Sequence, residues 1–338
     1  MVRISIQIVR WIIPILLGLI VPLIIQEQSY ILHLFILTFL YAFFAQSWNI
    51  LMGFAGQASL GQALFFGMGS YTVGLLVLHL PHYFKGSNLI WLGIIIGGAI
   101  ALLVGLAIGI ITFRIRGPYF ALATIASLEI VRLIFLYTEN FTQGGIGIII
   151  PHPPEITTPF FIIDFIEKMP HYYITFFMLL ISCTIVYILS KSKYGLLFLS
   201  IKEDEDAASS LGVNSFRIRL LAMAISGFIA GIAGAYYAIY MGFIDPSFEP
   251  GGVLTLFTSV DAIIICLIGG IGTVPGPFIG ALIKVMVGEY LRVSFGWKSG
   301  VDLVIFGALL IIFYLFVPKG ISGSLSLIRE KRPFKLKR

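Results

Sequence analysis

Residues able to do chemistry are scarce in this chain of 338 residues, and the densest group of them lies in one polar segment, Lys191–Arg219. Charged residues make up 11% of the sequence, against roughly 25% in an ordinary soluble domain. The segment nevertheless holds the acidic run Glu203–Asp206 among several lysines and arginines. Concentrated charge of both signs suits recognition of a partner surface with complementary charge. We therefore expect a docking element here.

The side chains needed for catalysis or metal binding form no recognisable set. No G-x-x-x-x-G-K-[ST] phosphate loop, HExxH motif or Ser/His/Asp arrangement occurs in the sequence. The five histidines are dispersed and have no metal-ligand spacing. They are His33, His79, His82, His152 and His171. Cys183 and Cys266 lie in apolar runs, where cysteine serves as a small packing residue. The sequence predicts neither an enzyme nor a metal site, and no P-loop ATPase of its own.

Ionisable residues inside apolar runs are the second group of candidates. They are costly in hydrocarbon and generally face a bundle interior or a water-filled cavity. Glu129 and Arg132, three positions apart, are expected to neutralise each other on one helix face. Two interpretations of this pair stay open: it stabilises the helix bundle, or it lies along a translocation path. Asp261 is a further candidate path residue, and Lys284 in the neighbouring run is a partner that the sequence alone does not establish.

The elements that must position these residues are membrane-spanning helices. Apolar residues make up 59% of the chain and the mean hydropathy is +1.02, which excludes a soluble globule because polar surface is too scarce. Continuous apolar runs of about 17–25 residues favour helices that cross the membrane over alternating β-strands. We predict an all-α, polytopic integral membrane protein with one transmembrane domain over residues 1–338 and about ten helices. The predicted spans are Arg10–Ile25, Tyr30–Met52, Ser59–Leu80, Leu89–Phe113, Pro118–Thr138, Tyr172–Ser190, Leu220–Met241, Val253–Gly270, Phe278–Phe295 and Val301–Val317.

Two stretches rich in glycine or proline interrupt the apolar pattern. Gly53–Ser59 and Gly269–Phe278 therefore predict broken or re-entrant helices. Ser59 and Gln62 begin the third predicted span, where an unwound turn would present their polar groups to a solute. Close helix packing explains the same glycines without a solute, so both interpretations stay open.

The basic residues predict which loops are cytoplasmic, because cytoplasmic loops carry an excess of lysine and arginine. With the amino terminus inside, most basic residues also fall inside: Arg3, Arg10, Arg114, Arg116, Lys191, Lys193, Lys202, Arg217, Arg219, Lys319 and the tail Arg329–Arg338. The outside set is then Lys85, Lys168, Lys298 and Arg292. We expect both termini and the Lys191–Arg219 loop to be cytoplasmic. The outward segments would be His82–Asn88, Glu139–His171, Phe243–Gly252 and Gly296–Gly300.

The two ends of the chain fit the same topology. The first apolar run ends in Gln26–Ser29 without a small-residue cleavage site, so we predict an uncleaved first span. The basic cytoplasmic tail, residues 320–338, and the net charge of +6 suit contact with lipid headgroups better than binding of nucleic acid.

Within the charged loop, Ser200 and Glu203 have the pattern of a capping box. We predict a helix of about 11 residues from Ser200, with Gly212 as its left-handed stop and Asn214 as the cap of the next membrane helix. One face would hold Ile201, Ala208 and Leu211, and the other Lys202, Glu203, Asp206 and Ser209. Such a helix is either a solvated connector or a coupling helix, meaning a short helix that fits a groove on a cytosolic partner and transmits its movement.

Small residues recur every four positions on two predicted spans, which lets membrane helices approach closely. They are Gly93, Gly97, Ala101, Gly105 and Gly109 on the fourth span, and the pairs Gly227 with Gly231 and Ala230 with Gly234 on the seventh. We expect these faces to be scaffold, either within the chain or against a second membrane subunit.

Several motifs occur in a fixed order between Asn49 and Gly320. They are Asn49–Gln62, Arg116–Thr124, Glu129–Leu133, Thr142–Gly147, Gly195–Asn214 (GLLFLSIKEDEDAASSLGVN), Arg219–Ala222, Ile225–Gly234 and Gly269–Pro277. In this order and spacing the chain resembles the permeases of branched-chain amino acid ABC importers, and most of all the LivM type.

This resemblance implies a subunit that forms half of a translocation path with a second, related permease in a bacterial plasma (inner) membrane. It also implies two cytosolic ABC ATPases and an extracytoplasmic substrate-binding protein, so that partner subunits use ATP and this chain binds no cofactor. The implied ATPase-coupling residues are Lys202, Glu203, Asp204, Glu205, Ala207, Ala208, Leu211 and Gly212. Leucine, isoleucine and valine are the implied solutes, while related permeases for urea or sugars keep the solute open.

Two other classes of membrane protein stay as alternatives. An ion-coupled secondary transporter would require membrane carboxylates and would work without ATP, whereas inverted repeats would not distinguish it. A membrane-embedded enzyme or channel would require a clustered catalytic set or a repeated filter motif, and the sequence contains neither. An ATPase that co-purifies with the chain would discriminate among these classes.

Overall fold

The computed structural model describes Leu16 and residues 18–84, 88–115, 117–157, 162–247, 252–295, 307–308 and 320–323. Helices dominate these residues. In chain order they are α1 Ser29–Trp48, α2 Gln62–His79, α3 Pro81–Phe84, α4 Leu92–Thr112, α5 Pro118–Tyr137, α6 Glu139–Thr142, α7 Lys168–Lys191, α8 Lys193–Glu203, α9 Glu205–Ser210, α10 Ser215–Met241, α11 Leu256–Gly269 and α12 Gly276–Phe295. The short strands in the described residues are β1 Ile148–Ile149, β2 Ile156–Thr157, β3 Ile162–Ile163 and β4 Phe243–Ile244.

Six helical segments in the described residues are long and apolar enough to cross a membrane. They are Ser29–Phe54, Gln62–His79, Asn88–Thr112, Tyr119–Tyr137, Lys168–Lys191 and Ser215–Met241. Each coincides with a predicted span, so the chain is an all-α, multi-pass membrane protein. α11 is a shorter apolar helix of 14 residues, about 21 Å long. In the first predicted span, residues 10–15 and 17 lie outside the described residues. In the last predicted span, only residues 307 and 308 are described. The total of ten spans therefore stays a prediction.

Both predicted helix breaks are present. α1 continues into a turn of π-helix, Asn49–Phe54, after which the chain is non-helical until α2 begins. Gly56 in this break has a φ of +72°, which glycine adopts without the steric cost of a Cβ atom. The second break separates α11 from α12, and Gly270 and Gly272 there have φ values of +122° and +73°. Each break exposes backbone polar groups that a continuous helix would pair internally.

Contacts between connections place them in two groups at opposite ends of the bundle. At one end, β1 pairs antiparallel with β4, and His79 Nε2 lies 2.9 Å from the carbonyl oxygen of Phe141. At the other end, the Lys202 ammonium donates a hydrogen bond to the carbonyl oxygen of Gly53 at 2.8 Å. These groups match the predicted outward and inward connections. Which group faces the cytoplasm stays a prediction, because it depends on the charge rule.

The core is built where α10 packs against α2 and α4. A Cβ atom added to Gly97 would lie 3.0 Å from the Gly69 carbonyl oxygen and 3.1 Å from the Ala235 Cβ. One added to Gly231 would lie 2.8 Å from the Gly97 carbonyl oxygen. The small residues of α4 and α10 therefore hold helices together inside the chain, which confirms the scaffold prediction and decides between its two alternatives.

Gly231→Ala is expected to lower the stability of the folded bundle, because its new Cβ would overlap the Ala101 side chain. Overpacking of this kind costs about 1–3 kcal/mol. Gly105→Ala is the matched control, since its Cβ would lie 3.4 Å from the Met223 carbonyl oxygen and the Phe65 ring, an ordinary contact. Thermal unfolding of the purified proteins compares them, and equal midpoints would contradict the assignment.

Candidate functional site

The charged loop folds as two short helices, α8 and α9, placed between α7 and α10. Ser192 caps α8 by accepting a hydrogen bond from the Gly195 backbone N–H. The Asp204 carboxylate caps α9 by accepting from the Ala207 N–H at 2.9 Å. The Asn214 side chain caps α10 by accepting from the Arg217 N–H at 3.0 Å. Three polar caps therefore fix the path of the loop.

The predicted capping box at Ser200 is wrong. Ser200 lies inside α8, and its hydroxyl donates to the Leu197 carbonyl oxygen at 2.9 Å. The helix boundary lies instead at Asp204, whose extended backbone has φ −156° and ψ 109°. The cause is local, because the Asp204 carboxylate caps a new helix directly after α8 ends. The predicted cap at Asn214 and the left-handed stop at Gly212, with φ +88°, are both confirmed.

The break at Asp204 also divides the predicted apolar face of the loop. Ile201 and Ala208 are buried against the chain itself, whereas the Leu211 side chain is 86% exposed. The prediction that these three side chains share one face is therefore wrong for Leu211. Glu203 and Asp206 are exposed as well. The exposed side chains of the loop thus include the acidic Glu203 and Asp206. They also include several apolar ones, among them Leu196, Leu199 and Leu211.

Lys202 is exposed, as the sequence predicts, and its ammonium also reaches the bundle. Its ammonium donates to the carbonyl oxygen of Gly53 at 2.8 Å. A Cβ atom on Gly56 would lie 3.1 Å from the Lys202 Cα, so the end of α8 packs directly on the first helix break. Lys202 therefore connects the loop to the unwound end of α1.

Side-chain amides join the first helix break to the second. Asn49 Oδ1 accepts from the Gly272 N–H at 2.8 Å, and Asn49 Nδ2 donates to the Thr273 carbonyl oxygen at 2.9 Å. Gln46 Nε2 donates to the Val274 carbonyl oxygen at 2.7 Å. Both amide side chains are fully buried. Hydrogen bonds therefore connect the loop, the end of α1 and the α11–α12 turn. We call these residues the break cluster (Gln46, Asn49, Gly53, Lys202, Gly272).

Glu205 and Arg219 fix the far end of the loop. Their side chains form an ion pair at 2.9 Å, and the Arg219 side chain is only 7% exposed. Arg219 also donates to the Phe113 carbonyl oxygen at 3.3 Å and lies over the Phe113 ring. Glu205 therefore has a role within this chain, beside its predicted role towards an ATPase.

The predicted pair on α5 is present. Arg132 Nε donates to Glu129 at 2.9 Å, and the two side chains are 11% and 43% exposed, respectively. α5 packs on α2 and α4 at the edge of the bundle. Glu129 therefore reaches the surface of this chain at the middle of a membrane span, where a charge facing lipid would be costly.

Ser59 and Gln62, by contrast, are fully buried inside the bundle. Gln62 Nε2 donates to the hydroxyl oxygens of Ser47 at 2.7 Å and Ser226 at 2.9 Å. Among the described residues, Gln62 Oε1 has no hydrogen-bond donor. These residues form a polar contact between α1, α2 and α10 in this conformation.

Asp261 pairs with Lys284 across α11 and α12, at 2.9 Å between Oδ2 and Nζ. Their side chains are 27% and 17% exposed, respectively, so the pair is partly buried. The structure thus supplies the partner for Asp261 that the sequence left undecided. Within the described part of the chain, no group of three His, Cys, Asp or Glu side chains is placed to hold a metal ion.

Sequence reasoning missed Gln46 and Asn49 as functional candidates. Their only local signal is that two amides occur three positions apart at the end of an apolar run. Unpaired amides are costly in hydrocarbon, so this signal could have indicated buried partners. Their backbone partners in the α11–α12 turn lie more than 200 positions away in the chain.

Comparison with known proteins identifies the family. The family model for the permease component of branched-chain amino acid transport systems matches residues 30–314. The chain is 27% identical to the high-affinity branched-chain amino acid transport system permease protein LivM of Escherichia coli, over 84% of this chain and 68% of that protein. It is 24% identical to the probable LivM of Methanocaldococcus jannaschii, over 83% and 90% of the two chains.

The chain is also 26% identical to the permease protein LivH of Salmonella typhimurium, over 84% of this chain and 91% of that protein. No solved structure matches it. The family match extends across both helix breaks, the charged loop and all six long apolar helices. This multi-pass membrane protein is therefore a member of the family of branched-chain amino acid transport permeases.

Proposed function

We propose that this protein is a transmembrane permease subunit of an ATP-binding-cassette importer for leucine, isoleucine and valine. The observation that carries the proposal is the family match over residues 30–314. The relatives named LivM and LivH are permease proteins of branched-chain amino acid transport systems. In this role the chain performs no chemistry and binds no cofactor, because partner subunits bind and hydrolyse ATP. It forms half of the solute path in the bacterial plasma (inner) membrane.

The proposed partners are a second, related permease, two cytosolic ABC ATPases and an extracytoplasmic substrate-binding protein. The ATPase would dock on the exposed part of the loop, around Glu203, Asp206 and Leu211, whose exposure supports this role. Asp204, Ala207 and Gly212 are exposed in the same segment of the loop. Movement of the loop would then reach both helix breaks through Lys202. ATP binding would shift the permease between its conformations only because the ATPases bind them with different affinity.

The residues proposed to lie along the solute path form two groups, one partly exposed and one fully buried. Glu129, Arg132 and Asp261 belong to ion pairs that reach the surface of this chain, and such charges are costly against lipid. We propose that they face the solute or the second permease. Ser59 and Gln62 would meet a solute only in a conformation that opens the bundle, since both are buried here.

Transport of leucine into vesicles tests the proposed function. The chain would be co-expressed with the permease and ATPases encoded beside it, purified and reconstituted, with ATP inside and the binding protein outside. ATP-dependent uptake of leucine, competed by isoleucine and valine, is the expected result. Uptake of urea or a sugar instead would favour the related permeases, and uptake driven by an ion gradient without ATP would favour a secondary transporter.

Cysteine labelling tests the proposed orientation. In a background without Cys183 and Cys266, Ser209→Cys is expected to react with an impermeant maleimide only from the cytoplasmic side. His152→Cys, exposed in the connection between α6 and α7, is expected to react only from outside. The physical reason is the excess of lysine and arginine on cytoplasmic loops. Labelling of both positions from one side would refute this topology.

A further inference from the structure

A row of polar side chains lies on the surface shared by α1, α10, α11 and α12, away from the charged loop. We call it the polar row. Its members are Tyr30, His33 and Tyr41 on α1, Tyr240 on α10, Asp261 on α11, and Lys284 and Glu289 on α12. They form successive contacts between neighbouring helices, beginning at the end of the bundle where β1 and β4 pair.

The outer two contacts of the polar row involve α1. The Tyr30 hydroxyl donates to the Glu289 carboxylate at 2.8 Å. Three residues further along α1, His33 Nδ1 is hydrogen-bonded to the Tyr240 hydroxyl. Both contacts lie at the membrane-surface end of these helices.

The inner contact is the ion pair between Asp261 and Lys284, where Lys284 Nζ also lies 4.9 Å from the centre of the Tyr41 ring. Tyr30 and Tyr41 are eleven positions apart on one helix, which is about 16 Å. A hydrocarbon core is roughly 30 Å thick. The polar row therefore extends from the membrane surface to about its middle.

The partial exposure of this ion pair restricts what it can face. The Asp261 and Lys284 side chains are 27% and 17% exposed on the surface of the chain. Ionisable groups at this depth face a bundle interior or a water-filled cavity, because lipid does not solvate them. The polar row is therefore suited to border a hydrated route that reaches the middle of the membrane.

We propose that the Asp261–Lys284 pair is a docking point for a zwitterionic α-amino acid. Such a solute carries an ammonium and a carboxylate on the same carbon atom. Its ammonium can replace Lys284 beside Asp261 while its carboxylate binds the Lys284 ammonium. Every charge then keeps an opposite partner, which avoids the penalty of an unpaired charge in a low dielectric. The Tyr41 ring face adds a cation–π contact for an ammonium group.

This assignment rests on the proposed function, amino acid import, and adds the residues that recognise the solute. The test uses the complete importer in vesicles and measures two quantities, the initial rate of leucine uptake and the ATP hydrolysis stimulated by the binding protein. Asp261→Asn and Lys284→Gln are each expected to lower uptake about tenfold or more, the effect of losing a hydrogen bond to a charged group. Stimulated ATP hydrolysis is expected to persist. Glu155→Gln, which removes an exposed carboxylate from an outward connection, is the control and should transport normally.

Two double variants separate recognition from structural support. Asp261→Lys with Lys284→Asp keeps an internal ion pair, so it should restore thermal stability but not leucine uptake, because the two solute groups would meet charges in the reversed order. Asp261→Asn with Lys284→Gln leaves no unpaired charge. This double variant replaces a single variant in the uptake measurement if that single variant fails to assemble. Uptake at the wild-type rate by either double variant, or by an assembled single variant, would overturn the assignment. A wild-type importer that moves no amino acid would instead refute the proposed function, and this assignment with it.

Discussion

Lys202→Met is expected to lower ATP-dependent uptake roughly 10- to 100-fold, the effect of losing a hydrogen bond made by a charged donor. The Lys202 ammonium contacts the Gly53 carbonyl oxygen at 2.8 Å, and this contact joins the charged loop to the first helix break. We expect the proposed ATPases to bind this variant still, because Lys202 contacts the bundle through its charged end. Movement of the loop would no longer reach α1, so ATP would be hydrolysed without transport. The ratio of leucine imported to ATP hydrolysed in reconstituted vesicles measures this effect.

Lys191→Met is the matched control for this prediction. Lys191 ends α7 in the same loop and is exposed, so its loss changes the net charge equally. We expect the control to keep the wild-type ratio, and Lys202→Arg to recover part of it because a donor is retained. A wild-type ratio in Lys202→Met would show that the break cluster does not transmit movement of the loop.

Leu211→Asp is expected to weaken assembly with the proposed ATPases strongly. The Leu211 side chain is 86% exposed beside Glu203 and Asp206, so it contributes little to the fold of this chain. An apolar side chain that acts as a hot spot in a partner's groove contributes about 2 kcal/mol or more, which corresponds to roughly 30-fold in affinity. A carboxylate at this position would also have to be desolvated on binding. Co-purification of the ATPases at graded salt and detergent concentrations measures the loss.

Leu211→Met is the control here, since it keeps an apolar side chain of similar volume. It should retain assembly and uptake, and the abundance of Leu211→Asp in the membrane should match the wild type. If Leu211→Asp assembles and transports normally, the loop is a solvated connector. The ATPase would then bind elsewhere, and the role assigned to Glu203 and Asp206 would fall with it.

The sequence alone determined the long membrane helices of this protein and several of their ends. Apolar runs predicted the six long helices, because only helices satisfy every backbone group within a single segment in lipid. Glycine spacing predicted close packing of α4, because a residue without a Cβ atom lets any neighbouring helix approach closely. Asn214 and Gly212 were identified correctly for the same reason, because a cap and a left-handed residue depend on neighbours a few positions away.

The predictions that failed involved competition between two local signals. Ser200 and Glu203 fit a capping pattern, yet the Asp204 carboxylate forms the cap that is used. The capping box predicts a helix start at Ser200, whereas the new helix is capped at Asp204, four residues later. As a result, Ile201 and Ala208 are buried while Leu211 is exposed. A pattern of residue types does not decide between two adequate caps that lie four positions apart.

Only the tertiary structure decided which polar side chains act together. Asn49 contacts Gly272 across 223 positions, and Lys202 contacts Gly53 across 149. The sequence placed Lys202 among surface charges, and it left Asp261 without an established partner. Burial in a membrane bundle requires each polar group to find a partner, but it does not specify which one. That choice depends on how the helices cross. Here it brings two glycine-rich breaks and one lysine into contact through hydrogen bonds.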